Sequence, residues 1–398
     1  MARLAARPPR VLVLAACAAI LCLRRAEALT HPQFWAEDAY FFQRAYVLGW
    51  SSLVESYAGY LHTILRLISE AAVRIDASRG PALFVAAAFL LTLYVASRAL
   101  SERCPLPCLG GAFALAIVLV PSTYEVLLTV VNLQWVLAAG LILLLLSRDP
   151  SGAGQWTHDL VSAALLGLTG PYAVILAPLF AWRAFRRRSR ASLTLALIIA
   201  ACAAAHLYFF RTEPELPVPP QDRQVAASLI LPAIGHRVGA SIALGVLEPR
   251  NPGLAPGTVL GLATLAGVAF LAFRAGPRRE ERALLGVAFG GLLFGALLRT
   301  RYSLGVYFEP LGDGRYVYLP QLIALWLLLL AAADRGRIGR FAAVLLVLAL
   351  AVNLPRLREP AYADLHWERY APLIRAGERV VVPTNPPGWF MPLPARQR

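Results

Sequence analysis

The residues with the most chemical potential lie in Phe34-Trp35-Ala36-Glu37-Asp38-Ala39-Tyr40-Phe41-Phe42, where two adjacent carboxylates sit among aromatic rings just after the first apolar run. A carboxylate is expensive in a bilayer, roughly 2.5–3.5 kcal/mol at mid-depth by insertion scales. Such a pair can act as general base, ligate a cation, or cap a helix start. The plainer alternative is that Asp38 opens a short surface helix while Glu37 is merely solvated. Pro121-Ser122-Thr123-Tyr124-Glu125, followed by Asn132-Leu133-Gln134-Trp135, is the second cluster. On a helix over 126–147, Asn132 and Trp135 stand at i, i+3 on one face, for substrate contact or for interhelical hydrogen bonds. The third is Arg299, Arg301 and Tyr302 with Gly312-Asp313-Gly314-Arg315-Tyr316. Guanidinium groups match phosphate oxygens two at a time. A lone arginine at a helix end more often snorkels, but three so close together point to phosphate.

The elements that must hold these groups are membrane spans. The chain of 398 residues is 58% hydrophobic and 15% charged, with mean hydropathy +0.60. Soluble domains carry about a quarter charged residues, so the fold class is an all-α polytopic membrane protein. The net charge is +15 and every basic residue is arginine. Its clustering in short loops follows the positive-inside rule, and no basic-aromatic stripe of the kind that binds single-stranded nucleic acid is present. Cys104 and Cys108 have a CxxxC spacing without the further ligands that a zinc site needs. No phosphate-binding glycine loop, nucleophile elbow or HExxH zinc motif occurs, so a soluble-cofactor enzyme has no support.

Arg3, Arg7 and Arg10 precede the apolar run Val11–Leu23, which Arg24-Arg25 follows. A signal peptide and a first span both fit, and both put the next segment outside. Apolar residues over 53–75 recur at three-to-four spacing, with Glu55, Gly59, His62, Arg66 and Ser69 on the other face. This reads as a helix lying along the membrane surface. Spans follow near 82–99, 109–121, 126–147, 159–170, 172–183, 191–210, 256–273, 283–298, 317–333 and 341–354. Those at 159–170 and 172–183 are short enough to be half-depth helices meeting at Gly170-Pro171. The stretch 225–247, interrupted by Pro232, Gly235 and Gly239, reads as re-entrant or surface-lying. Arginines at 98/103, 148, 183–190, 274–282 and 335–340 mark cytoplasmic loops. About eleven spans result, with a membrane domain over 1–354, a first outer loop at 29–80 and an extracytoplasmic tail over 355–398. The polar-aromatic loops 29–80, 121–125, 211–255 and 299–316 all fall on that outer face.

Phe34-Trp35-Ala36-Glu37-Asp38, Tyr57-Ala58-Gly59-Tyr60-Leu61-His62, Asn132-Leu133-Gln134-Trp135, Gly170-Pro171-Tyr172, Arg315-Tyr316 and Asn385-Pro386-Pro387-Gly388-Trp389, taken in this order, resemble a bacterial family of the glycosyltransferase C superfamily. Where that family carries glycine after the acidic pair, this chain has Ala39. The resemblance implies a helical membrane bundle that uses a polyprenyl-phosphate-linked sugar and modifies a glycan, lipid or protein acceptor of the cell envelope. It implies inversion at the sugar carbon, and a role for Asp38 or Glu37 as base or as ligand of a divalent metal ion. Between the two acids the expectation falls on Asp38. His62 and Arg66, turned to water, are expected to line the acceptor groove. Glu125, Asn132 and Trp135 join Arg299, Arg301, Arg315 and Tyr316 as substrate contacts, the arginines on the donor phosphate. A lipid-linked glycan transporter would want ionisable residues within its spans and a repeat between halves, neither of which stands out. A non-catalytic subunit of an envelope-assembly complex is the third alternative.

Overall fold

A computed structural model describes residues 9–105, 109–121, 123–213, 225–245, 254–309, 314–334 and 336–396. Ser122, Cys108 and Asp313 lie outside them, as does most of the 211–223 loop. The described chain is an all-α bundle with one small antiparallel hairpin, Val380–Thr384 with Trp389–Leu393. Among the described residues, seven helical segments are long and apolar enough to cross a membrane. They are Thr63–Ala99, Arg190–Thr212, Ala227–Leu244, Ala255–Phe273, Arg279–Arg299, Arg315–Ala332 and Arg337–Arg356. Their outer faces carry exposed large apolar side chains such as Phe270, Phe294, Phe341 and Val347. Water would penalise such a belt, whereas lipid accepts it. The chain is therefore a multi-pass membrane protein.

Several expected spans are shorter than expected. Gly110–Leu119 rises roughly 15 Å, about half the thickness of a bilayer core. The run 126–147 becomes helical only at Leu133–Leu146. Val126–Val131 is buried without being helical, and side chains bond to the backbone at its two ends. Asp38 accepts the Val131 N–H, and Asn132 Nδ2 donates to the Glu125 carbonyl at 2.8 Å. Non-helical backbone is tolerated at depth where protein covers it. The expected break near Gly170 is present, between helices Ala153–Gly167 and Tyr172–Arg187.

Two readings of the sequence are corrected. The surface helix is only Thr63–Asp76, preceded by a 3-10 turn at Gly49–Val54. Its polar face looks inward: His62, Arg66, Ser69 and Glu70 are all buried. The second correction concerns the interruption expected within 225–247. Pro232, Gly235 and Gly239 do not interrupt the helical path, which runs on through a π turn at Gly235–Ala240. The missing side chains allow contact with the next helix instead. A Cβ on Gly235 would meet the Gly257 carbonyl at 2.3 Å, and one on Gly261 the Leu231 carbonyl at 2.2 Å. Small residues four apart on both partners are a familiar close-packing device between helices in lipid.

Polar contacts gather at the two ends of the bundle. At one end Arg98 and Arg103 meet Asp159, Arg183 and Arg187 meet Asp149, and Arg274 and Arg282 meet Asp334. The other end collects the 34–62 segment, the 123–135 segment, residues 299–309 and 314–316, and the tail.

Candidate functional site

At this second end a cavity of about 440 Å³ opens between the connecting segments and the helix ends. Glu37, His62, Asn132, Trp135, Arg299, Arg301, Arg315 and Tyr316 all line it. The sequence had singled out each of them from segments nearly 300 positions apart. Tyr57, Tyr60, Gln134, Tyr172 and Phe210 complete the aromatic and polar wall. Four of these five lie within the short motifs quoted above. Phe210 belongs to an otherwise apolar helix, and no sequence signal marks it. Below the polar rim, Val174, Ile175, Leu292, Ala296 and Leu298 give the cavity an apolar flank.

The carboxylate on the wall is Glu37, not Asp38. Asp38 is 2% exposed and begins the helix Asp38–Leu48. Its oxygens accept the backbone N–H of Val131 at 2.6 Å and of Trp35 at 3.4 Å. It therefore ties the acidic turn to the 123–131 segment. The turn itself has Ala36 at φ +41, a left-handed conformation that non-glycine residues seldom adopt. Glu37 Oε2 is buried and has no hydrogen-bond partner.

Three further wall atoms share that condition, Gln134 Oε1, the Trp135 indole nitrogen and the Tyr172 hydroxyl. Tyr172 is only 2% exposed. A buried polar atom left unsatisfied costs about 1–3 kcal/mol, and native structures contain few. Four lie on this one cavity wall. Trp135 meets Tyr172 and Tyr316 edge-on at 5.4 and 5.3 Å, and Tyr60 stacks on His62 at 4.4 Å.

Arg299, Arg301 and Arg315 line the cavity together with Glu37. Glu125 stands behind the wall and holds Arg315 Nη1 at 3.1 Å. His62 adds no charge, since burial, with the Arg66 charge beside it, pulls its imidazole down to about 3. Its Nδ1 lies 3.2 Å from the Tyr60 carbonyl, the geometry of a neutral ring donating there. Arg66 is another correction. It is fully buried behind the wall, over the Phe41 ring at 5.1 Å and within 3.5 Å of Glu55, and does not line the cavity.

Backbone pairing holds the floor of the site. His62 pairs with Thr169, the Gly170 N–H donates to Leu61 O at 3.0 Å, and Gly170 has φ +83. A Cβ there would meet Gln134 Oε1 at 2.6 Å, so the turn needs glycine on both grounds.

Asp38 is poorly placed to ligate a resident divalent ion, which leaves Glu37 as the acid of the pair open to one. Both Asp38 oxygens already accept backbone N–H groups, and three guanidinium groups line the same cavity. Among the described residues, Asp364, His366 and Glu368 are grouped closely enough to ligate a metal. They are exposed and do not line this cavity.

Burial raises the Asp38 carboxyl to about 7, against the opposing pull of the Val131 and Trp35 N–H groups. A folded-state value above the unfolded one stabilises the fold at low pH, and this contribution is lost as pH rises through the folded value. Thermal unfolding of the detergent-solubilised protein should therefore show stability falling between about pH 4 and about pH 7, by a few kcal/mol at most. In Asp38→Asn that slope should be absent.

No family model, curated protein or solved structure matches the chain. The functional reading therefore rests on the site's own chemistry.

Proposed function

We propose that this is an integral-membrane glycosyltransferase of the glycosyltransferase C type. It moves a sugar from a polyprenyl-phosphate donor to a cell-envelope acceptor, whether glycan, lipid or protein, on the outer face of a bacterial inner membrane. One observation carries the reading: an unpartnered carboxylate oxygen, three arginines and a ring of aromatics share one cavity with an apolar flank. A sugar phosphate on a lipid asks for each of these. Arginines take the phosphate oxygens, aromatic faces and the unsatisfied Trp135 and Tyr172 groups take the sugar, and the flank takes the start of the hydrocarbon chain.

In this mechanism an acceptor hydroxyl oxygen attacks the sugar's anomeric carbon as the bond from that carbon to the phosphate oxygen breaks. The bonding pair leaves with the phosphate, and Glu37 takes the hydroxyl proton. Asp38 fixes the backbone on which Glu37 sits. Stabilising the charge that grows on the leaving phosphate is the task of Arg299, Arg301 and Arg315, with Glu125 orienting Arg315. The outer-face assignment follows from the arginine-rich loops, which share the opposite end of the bundle.

The experiment is sugar transfer by the purified protein in vesicles loaded with polyprenyl-phosphate sugars. Arg315→Ala should raise the donor concentration needed for half-maximal rate about 10–100-fold, the range expected for hydrogen bonds to a charged group. An unchanged donor dependence would remove the arginines from the phosphate site. Failure of wild-type protein to release sugar from any such donor would remove the activity altogether.

A further inference from the structure

A second and larger cavity, about 980 Å³, lies at the same end of the bundle but on the other side of the 123–125 segment. Thr123 and Tyr124 line it, while the adjoining Glu125 holds Arg315 of the candidate site. The helices Gly110–Leu119, Arg315–Ala332 and Arg337–Asn353 each present an apolar stripe to a gap that none of them fills. Leu115 and Leu119, Leu325 and Leu329, and Leu346 and Leu350 are representative. Three- and four-residue spacing puts each pair on one helix face, so the walls are continuous hydrocarbon along the helix axes. The helix Arg337–Arg356 is otherwise little covered, with 17% of its apolar window buried.

The mouth differs chemically from the walls. Arg356 and Arg358 line it and are exposed. Arg358 has no hydrogen bond or ion pair among the described residues, and Arg356 donates only to the Val352 carbonyl of its own helix. The neighbouring carboxylate, Glu359, is already committed to Arg24 and Arg25 deeper in the protein. Two uncompensated cations therefore stand at the rim of an apolar slot, at the bundle end opposite the arginine-rich loops. Charge complementarity selects the occupant: a molecule with a hydrocarbon body and an anionic head.

We infer that this cavity is a binding site for a membrane lipid with an anionic phosphate headgroup, its chain between the three helices and its phosphate on Arg356 and Arg358. The site is distinct from the sugar-transfer cavity and does not rest on that reading. Arginine favours phosphate by its paired N–H donors, and each basic residue near an anionic headgroup favours it by about fivefold.

The test is photolabelling of the full-length protein in vesicles, using phosphatidylglycerol or phosphatidylcholine with a diazirine in the acyl chain. Phosphatidylglycerol should label peptides from 110–119 and 337–353 at least about fivefold more than phosphatidylcholine does. Arg356→Gln with Arg358→Gln should bring its labelling down to the phosphatidylcholine level. Ala116→Phe, which fills the slot from the wall, should abolish labelling by both lipids while leaving labelling elsewhere intact. Equal labelling by the two lipids in the unaltered protein, or labelling unaffected by the paired arginine changes, would make the slot an unspecific lipid-facing gap. Absence of labelling by either lipid would mean that something else fills it. Each of these results would overturn the inference, whether or not the protein transfers sugar.

Discussion

Glu37→Gln should insert and fold like the unaltered protein and yet lose the transfer reaction, by about 10²–10⁴ in rate if Glu37 is the base. The substitution keeps the side-chain shape but removes the group that takes the proton. Folding should be spared because Glu37 Oε2 has no partner to lose. Asp38→Asn is the informative contrast. Asp38 anchors Val131 and Trp35 and does not line the cavity, so its loss should act on pH-dependent stability and only indirectly on rate. Profiling envelope glycans in cells that carry each variant separates the two. The same loss from both at equal expression, or a larger loss from Asp38→Asn, would assign the chemistry to the wrong acid.

Asn385→Ala should produce the second large effect, although Asn385 does not line the cavity. The tail that the sequence presents as a strand and turn on the surface is tied into the acidic turn. The Asn385 N–H donates to Phe34 O at 3.1 Å, and its carbonyl accepts the Ala36 N–H. Its side chain, 1% exposed, exchanges hydrogen bonds of 3.1 and 2.9 Å with the Ala363 N–H and carbonyl. Around this core Trp35 stacks on Tyr362 at 4.3 Å, Phe34 meets Trp367 at 5.2 Å, and Gln43 donates to Pro392 O at 2.7 Å. Removing the Asn385 side chain deletes both of these hydrogen bonds, at about 0.5–1.5 kcal/mol each. Turnover should fall at least about tenfold, the range in which small misplacements of a catalytic group act, while half-saturation by donor changes little. The tail should also become sensitive to protease. Asn385→Asp, which keeps the acceptor but not the donor, should fall between. A released tail with full turnover would show that the hairpin does not position Glu37.

The contrast between these two residues shows what could be read in the chain. Polar and aromatic groups in the connecting loops of a chain this apolar stand out by composition alone. That is why Glu37, His62, Asn132, Trp135 and the 299–316 arginines were legible before any geometry. Which of two adjacent acids faces the cavity was not legible. That choice depends on the left-handed turn at Ala36 and on a backbone N–H at Val131. The apolar run 126–131 reads as helix because composition cannot reveal that Asp38 and Asn132 hold the ends of its backbone. Arg66 misleads for a related reason. Its spacing puts it on a polar helix face, and only tertiary packing against Phe41 and Glu55 makes that face interior. The fold class needed nothing beyond hydropathy, whereas the span lengths needed the packing of neighbours.

The most direct test is whether the 440 Å³ cavity holds the donor. A polyprenyl-phosphate sugar with a photoreactive group beside its phosphate should be crosslinked to Glu37→Gln protein in vesicles and the labelled peptides mapped. Label should fall on 57–62, 132–135 and 295–320, be lost when excess unlabelled donor is added and be weakened by Arg315→Ala. Label confined to other segments, or equal label from the polyprenyl alcohol without its phosphate, would contradict donor binding there.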